Sequence, residues 1–315
     1  MESVKLNFGS TEGADRELKL VPTDSRLWET FGGAYGNVVN DIRLLTGDEK
    51  ELDDWDMALL DRREHRQGKK EDINDIESIA LENLFESLAH QMTFYPAIYL
   101  AMPYLVKLLE KRTAQNDFEG TISLITDMGL LIAIDVPDSS CSDREEAEDK
   151  DQEETEDEVM DNYNLSILKL KEITKRFLEQ HLEEIKENSY YKVPFLTSVL
   201  GILGNDRREA FIMFMSRWES CYMACSKCEN YNEDIEFDEE DDFEKAFEGI
   251  IPAPSAAGQW DGKSLDNTYI WFSNLLSMAG ADREAKLMPY YYGTYTCPGC
   301  GNREAVMKFM GNYYF

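Results

Sequence analysis

Apolar residues recur at intervals of three and four along most of this chain, which is the spacing of helices with one buried face. Between residues 74 and 110 the spacing predicts two helices of about 15 residues each, which a short turn would fold into an antiparallel hairpin. Pro96 stands where the second helix begins, a position that tolerates proline because no N–H donor is needed there. The apolar positions of this hairpin are Ile76, Ile79, Ala80, Leu84, Leu88, Ile98, Leu100, Ala101, Tyr104, Leu105 and Leu108.

The pattern in the rest of the chain is also helical. The strongest strand signal is confined to residues 306–310. Successive helical hairpins predict an all-α fold, an α-solenoid of HEAT-like hairpins, over residues 1–228. A helical bundle is the alternative, because the hairpins show no clean sequence period. Further helices are predicted over residues 119–134, 164–187, 193–204 and 207–226.

Two segments of the chain are strongly acidic. The whole chain has 63 acidic and 32 basic residues, which gives a formal net charge of −31. Residues 142–161 hold 12 acids and two bases, and residues 229–244 hold ten acids and no base. Because such sequences cannot bury apolar surface, we expect an acidic disordered loop over residues 138–161 and an acidic linker over residues 229–258. Residues 259–315 would then form a helical segment and a cysteine-bearing tail that packs on the solenoid.

The excess of acidic residues also narrows the classes of partner. Outside the two acidic segments the chain still has 41 acidic and 30 basic residues, a net charge of −11. Such a surface repels the phosphates of nucleic acids and attracts basic proteins, so we expect a basic protein partner and no nucleic acid. No run of 18 apolar residues is present, which argues against a membrane-spanning helix. The first residues lack the pattern of a secretion signal, and we expect a cytoplasmic protein.

Two cysteine pairs give the clearest chemical signal. Cys225 and Cys228 form one Cys-x-x-Cys motif, Cys297 and Cys300 form a second, and 68 residues separate the two motifs. Two such turns can place four thiolates around one metal ion, so we expect a structural zinc site in a small zinc-ribbon-like element. Cys221 stands one turn before Cys225 on the predicted helix and would compete for a ligand position. The alternatives are buried or surface thiols, or a redox pair, which would need a thioredoxin-like βαβ context that the pattern lacks.

Enzyme chemistry has little support among the motifs. A four-thiolate site has no open coordination position, and the three histidines, His65, His90 and His181, lie far from the cysteine pairs in sequence. No phosphate loop, dinucleotide fingerprint or nucleophile elbow is present. His90 with Gln91 and Tyr95 is the best remaining polar group. These residues would either face a binding groove or satisfy backbone groups at the end of their helix and fix the turn of the hairpin.

Three consecutive tyrosines, Tyr290, Tyr291 and Tyr292, are a second candidate contact surface. They cannot all face inward in one regular element, so we expect part of the triplet to be exposed or to cover the zinc site. Tyrosine is frequent at the energetic centres of protein interfaces.

Three segments carry a further signal: Ala34-Tyr-Gly36, Leu84-Phe-Glu-Ser-Leu-Ala-His-Gln-Met-Thr-Phe-Tyr-Pro-Ala97 and Met102-Pro-Tyr-Leu-Val106. They resemble a group of bacterial HEAT-repeat-like proteins, whose hallmark is a helix ending in His-Gln-Gly-Thr-Val-Tyr-Pro-Ala, followed by a helix with Ala-x-Pro-x-Leu-Val. Here Met92 takes the place of the glycine and Phe94 that of the valine. The tail from Tyr290 to Gly301 is similar to the zinc-ribbon-like ends of some of these proteins. The resemblance covers residues 25–135 and 260–302 and implies an α-solenoid used for binding, with no catalytic residue assigned.

Together these observations predict a non-enzymatic protein-binding scaffold or adaptor in the bacterial cytoplasm, with one structural zinc ion. A more specific version is an immunity-type protein that neutralises a basic toxin, because an acidic surface could cover a basic active site. The alternative is a hydrolase-like enzyme with a pocket in the solenoid groove, which would use His90 and nearby carboxylates.

Overall fold

The structure, a computed structural model, describes residues 5–36, 38–49, 51–52, 54, 56–58, 61, 75–135, 150–228, 232–236 and 243–315, with the side chains of 150–155 and 232–233 excepted. These residues are mostly helical, and they also form two small antiparallel sheets. The prediction of a mainly helical fold is therefore confirmed. The fold is not purely helical, because short strands form where the sequence pattern predicted helix or loop.

The described residues belong to two compact units. The N-terminal unit contains Glu12–Asp117 and Pro137–Lys169, and the C-terminal unit contains Met1–Thr11, Phe118–Val136 and Leu170–Phe315. The predicted domain boundary after residue 228 falls inside the C-terminal unit.

The elements are numbered in chain order. The N-terminal unit contains the helices α1 (Leu27–Thr30), α2 (Val39–Thr46), α3 (Ile76–Leu88) and α4 (Ile98–Ala114), with a 3₁₀ turn at His90–Met92. The C-terminal unit begins its helices with α5 (Phe118–Ile134), and α6 (Lys150–Glu187) contributes residues to both units. The further elements of the C-terminal unit are α7 (Lys192–Leu203), α8 (Arg207–Ser216), β1 (Ser220–Ala224), β2 (Asn232–Glu236), α9 (Phe243–Ala246), β3 (Ile250–Ile251), α10 (Thr268–Met278), α11 (Asp282–Tyr291), β4 (Thr294–Thr296), β5 (Arg303–Ala305) and α12 (Val306–Tyr314).

The helices α3 and α4 of the N-terminal unit run antiparallel, as the sequence predicts. Glu77 in the first turn of α3 accepts a 2.7 Å ion-paired hydrogen bond from Arg112 in the last turn of α4, so opposite ends of the two helices meet. The Asp75 side chain caps α3 by accepting from the backbone N–H of Ser78. The four leucines of the predicted hairpin core are fully buried, namely Leu84, Leu88, Leu100 and Leu105.

The helices α5 and α7 of the C-terminal unit approach each other closely because small residues face each other. A Cβ atom added at Gly129 of α5 would lie 2.3 Å from the Cβ of Ser198 in α7. The Ser198 hydroxyl donates a 2.7 Å hydrogen bond to the backbone carbonyl of Thr126, one turn earlier on α5. Gly201 extends the contact, since a Cβ there would lie 3.0 Å from the carbonyl oxygen of Gly129.

The helix predicted over residues 207–226 ends ten residues early, at Ser216. Arg217 and Trp218 both adopt left-handed backbone conformations, with φ of 52° and 60°, which no helix can continue through. The turn buries the indole of Trp218, whose Nε1 donates to the Thr197 hydroxyl at 2.9 Å. Residues 220–224 then form β1 instead, and they pair antiparallel with β2.

The strand predicted over residues 306–310 is also wrong, because these residues open helix α12. Val306, Phe309 and Met310 are buried, and their separations of three and one residues place them on one face of a helix. The extended backbone of Ala305, at the end of β5, leads directly into that helix.

Both acidic segments contain regular structure. Residues 150–161 of the predicted loop form the start of α6, whereas residues 138–149 lie outside the described residues. Glutamate is a good helix former, and carboxylates near a helix N-terminus are stabilised by its dipole. Val159 and Tyr163 anchor this part of the helix in the core. The predicted linker over residues 229–258 contains β2, α9 and β3, and its residues 229–231 and 237–242 lie outside the described residues.

None of the helices that the structure describes combines the length and the apolar character needed to cross a membrane.

Candidate metal centre

The two Cys-x-x-Cys motifs come together at the ends of short strands in the C-terminal unit. Cys225 directly follows β1 and Cys297 directly follows β4, so each pair stands in a turn that a strand positions. The second turn is tight: Gly301 N–H donates to the carbonyl of Cys297, and Cys297 N–H donates to that of Asn302, each at 2.8 Å. Gly301 has a left-handed φ of 74°, which suits glycine.

The four sulfur atoms have the spacing of metal ligands. All four lie within 4.8 Å of one another. Cys225 Sγ is 3.7 Å from Cys300 Sγ, and Cys297 Sγ is 4.0 Å from Cys228 Sγ. A tetrahedral ion with metal–sulfur bonds of about 2.3 Å places its sulfurs about 3.8 Å apart. The cluster is therefore compatible with a four-thiolate metal site, as the sequence predicts.

Burial divides the four ligands into an inner and an outer pair. Cys225 and Cys297 are buried, Cys228 is half-buried and Cys300 is exposed. The inner pair comes from the first position of each motif, directly behind its strand. A metal ion bound here would lie at the surface of the unit, within reach of solvent from the side of Cys300.

The surroundings of Cys225 favour its ionised form. Burial raises the pKa of this thiol, but hydrogen bonds from the backbone N–H groups of Lys227 and Cys228 and contacts with the thiols of Cys297 and Cys300 lower the pKa to about 7. For Cys228, the hydrogen bond with Cys300 is the largest cause of a pKa raised to about 12. The thiolate is the metal-binding form, so the hydrogen bonds to Cys225 favour the form of this residue that binds a cation.

Asn302 lies beside the cysteine cluster, a position that the sequence pattern did not reveal. Its side chain is buried and places Nδ2 at 3.8 Å from Cys225 Sγ and at 2.9 Å from a carboxylate oxygen of Glu304. Lys308 pairs with the other oxygen of Glu304, which fixes the carboxylate. Residues that hydrogen-bond to a metal ligand orient it and tune the metal. No motif marks such a residue, because its role depends on the contact and not on its spacing.

We expect Asn302→Ala to weaken zinc binding about 10- to 100-fold without removing a ligand, because the Cys225 thiolate loses its side-chain donor. Competition with a fluorescent chelator would measure the dissociation constant. Asn312→Ala is the matched control: its Nδ2 donates to the carbonyl of Ala224, beside the site, and touches no sulfur. Equal affinity of the two variants would show that Asn302 does not act on the metal.

Cys221 does not belong to the cluster. It lies in the middle of β1, opposite Ile235 of β2. A strand advances by about 3.3 Å per residue, so Cys221 and Cys225 stand about 13 Å apart along β1, whereas one helical turn would have brought them close. The predicted competition of Cys221 for a ligand position depended on the helix that the structure replaces with β1.

The predicted contact residues around His90 lie in the N-terminal unit and not at the metal centre. The hydroxyl of Tyr35 lies 2.7 Å from Nδ1 of His90, and the two rings are edge-on. The backbone N–H of Tyr95 donates to the carbonyl of Leu88 at the end of α3. Gln91 is exposed and has a left-handed φ of 52°. These contacts bring two of the resembling segments together and fix the turn between α3 and α4.

Met92 in the same turn has a φ of 59°, a conformation that costs a residue with a side chain more than it costs glycine. Of the other two histidines, His181 lies in α6 and packs against the stacked rings of Phe118 and Phe177, and His65 lies outside the described residues.

The tyrosine triplet is divided between the core and the surface. Tyr291 is fully buried, and its hydroxyl donates to the carbonyl of Ser220, so it offers no surface for a partner. Tyr290 and Tyr292 are half-buried. Tyr290 stacks on Phe247 and lines a cavity of about 1100 Å³, and Tyr292 stacks on Tyr269. Burial raises the pKa of Tyr292 well above its usual range.

Comparisons of the chain with protein-family models, with curated proteins and with solved structures give no match. A function therefore has to be inferred from the residues and geometry of this chain.

Proposed function

We propose that this protein is a non-enzymatic protein-binding scaffold or adaptor whose C-terminal unit is stabilised by a structural zinc ion. The closed four-sulfur geometry supports this proposal most directly. Thiolates prefer soft or borderline cations, and a tetrahedral four-thiolate set leaves no position for water or substrate. A site of this kind holds chain segments together and does not activate a nucleophile. We extend the proposal to HEAT-like packing of the helical hairpins and to a cytoplasmic setting, where thiols stay reduced.

The partner that fits this protein is a basic protein surface. Acidic residues exceed basic ones by 31 in the whole chain. The excess also extends to folded, exposed residues: Glu119, Glu183, Glu184 and Glu187 line a groove of about 630 Å³ in the C-terminal unit. A field of this sign accelerates encounter with a basic partner. An immunity-type protein that covers the active site of a basic toxin is one form of this function.

The alternative proposal is a hydrolase-like enzyme that uses His90. The contact between the Tyr35 hydroxyl and His90 is the observation that favours it, because such a pair could move a proton. The same contact also fixes the turn between α3 and α4, so it supports the scaffold equally.

Salt dependence of capture tests the proposed function. Immobilised wild-type protein should retain a basic protein from an extract of its host. The association rate measured with that purified protein should fall several-fold between about 50 and 500 mM salt, because surface charges are screened within about 8 Å near physiological salt. The His90→Gln variant should bind the same protein equally well. Recovery of nucleic acid or of an acidic protein, with a rate that salt does not change, would contradict the proposal.

A further inference from the structure

A continuous series of contacting aromatic rings, of which some are exposed and others half-buried, occurs in the C-terminal unit, and we call it the aromatic strip. Its members are Tyr222, Tyr313, Tyr314, Phe211 and Phe315, whose successive ring centroids are 5.3, 5.1, 6.3 and 5.1 Å apart. Tyr313 is 44% exposed and Phe315 is 57% exposed. Met215, one turn after Phe211 on α8, is also exposed.

Part of the strip lies on the exposed face of α12, whose opposite face packs in the core. Val306, Phe309 and Met310 of α12 point inward and are buried, whereas Tyr313 points outward. Burial of an aromatic side chain lowers the free energy by about 25 cal/mol for each Å² of apolar surface removed from water. They are also the residues most often found at the energetic centres of interfaces. Contiguous exposed apolar surface of this kind marks interaction sites on soluble proteins.

Acidic side chains flank the strip. In the register of the β1–β2 pair, Tyr222 stands directly opposite Asp234, and residues opposite each other share a face of the sheet. Glu236 lies on the same face, two residues further along β2, and its carboxylate accepts a 2.7 Å hydrogen bond from the Tyr222 hydroxyl. Both acids are exposed. The Tyr222 ring and the carboxylates of Asp234 and Glu236 can therefore contact the same group of a partner.

The strip already binds one cation within the chain. The guanidinium carbon of Arg208 lies 5.8 Å from the centroid of Phe315, within the range of a cation–π contact. The stacked rings of Tyr222 and Tyr313, next to Asp234 and Glu236, offer the same chemistry with two carboxylates added. The chemical group that matches them is an arginine or lysine side chain carried on an apolar segment.

We propose that the aromatic strip is a docking surface for a basic, partly apolar segment of a partner protein, with cationic side chains over Tyr222 and Tyr313 and paired with Asp234 and Glu236. This inference rests on the proposed protein-binding function and specifies where and how it binds.

Three synthetic 12-residue peptides test the proposal by fluorescence anisotropy. One carries alternating arginine and leucine, the second has every leucine replaced by serine, and the third has every arginine replaced by glutamate. Wild-type protein should bind the first peptide at least about tenfold more tightly than the other two, a difference of about 1.4 kcal/mol. Equal affinity for the first two peptides would mean attraction by net charge alone and would overturn the proposal.

Three variants locate the binding site. Tyr222→Ser/Tyr313→Ser should lose at least about tenfold in affinity for the arginine–leucine peptide. Ile251→Ser is the matched control, because Ile251 is 57% exposed in the same unit and lies outside both the strip and the acidic groove. Asp234→Lys/Glu236→Lys retains both tyrosines and should also weaken binding of the arginine–leucine peptide. This second variant still tests the proposal if circular dichroism shows that the tyrosine variant is misfolded. An equal loss in the Ile251 control, or no loss in either double variant, would overturn the proposal.

The two proposals fail in different ways. A wild-type protein that captures a basic partner in a salt-dependent manner but binds none of the peptides through the strip would refute the docking surface and leave the scaffold function intact. Failure to capture a basic partner and failure to bind the peptides, taken together, would refute the scaffold function itself. Sedimentation that shows self-association of the wild type, abolished in Tyr222→Ser/Tyr313→Ser, would assign the strip to a second copy of the chain and would also overturn the proposal.

Discussion

Cys297→Ser/Cys300→Ser is expected to reduce bound zinc from one ion per chain to none and to unfold the segments around the two small sheets. Two of the four sulfurs of the cluster are lost, and two thiolates cannot hold a structural zinc ion. Zinc contributes about 10–16 kcal/mol of apparent binding free energy near pH 7 in small cysteine-rich modules, and most of that is their folding energy. We expect the short strands β1, β4 and β5 to depend on the same contribution.

Elemental analysis and hydrogen exchange measure this outcome. Exchange should accelerate in residues 220–236 and 294–305 and change little in α5 and α7, which have a core of their own. Cys221→Ser is the matched control, because Cys221 lies in β1 but outside the cluster, and it should keep its zinc. Zinc retained by Cys297→Ser/Cys300→Ser would show that the ion binds elsewhere.

Gly129→Ala is expected to destabilise the C-terminal unit by about 3 kcal/mol, at the upper end of the cost of overpacking a core. The new Cβ would lie 2.3 Å from the Cβ of Ser198, and also 2.7 Å from its Cα and 2.9 Å from its backbone oxygen. Because the last two are backbone atoms, α5 and α7 would have to separate. The hydrogen bond from Ser198 to Thr126 would be lost with the contact.

Urea unfolding followed by circular dichroism measures this prediction. Gly311→Ala is the matched control: Gly311 also lies within a helix, α12, but a Cβ there would have open space around it. The helix propensity of alanine should make that variant about 0.5–1 kcal/mol more stable. If both glycine variants changed stability by the same amount and sign, the close contact of α5 with α7 would not be the cause.

The antiparallel helices α3 and α4 and the cysteine cluster could be predicted from the sequence, because a strong local pattern marks each of them. The α3 and α4 segments have apolar residues at helical spacing, and a proline marks the start of the second helix. Each Cys-x-x-Cys motif places two of the four sulfur ligands close together by its spacing alone, so only the proximity of the two motifs had to be inferred.

The strand β1 and the helix α12 could not be predicted, because their sequences fit both periods. Residues 306–310 hold four apolar residues and one lysine, a short run that fits a strand as well as a helix, and Val306, Phe309 and Met310 share one face of a helix. The end of α8 depends on a tertiary contact: the left-handed turn at Arg217 and Trp218 is held by burial of the indole against Thr197. No residue near that turn signals a break, since neither glycine nor proline occurs there.

The order in which the ribosome delivers the chain has consequences for how the two units are completed. The C-terminal unit needs Phe118–Val136 but receives its later segments only after Lys169, and its last ligand, Cys300, comes later still. At about 5–20 residues per second, α5 would wait about 3–14 s for its packing partner α7. During that interval the apolar face of α5 is available to chaperones, and the N-terminal unit, whose last segment ends at Lys169, can close first.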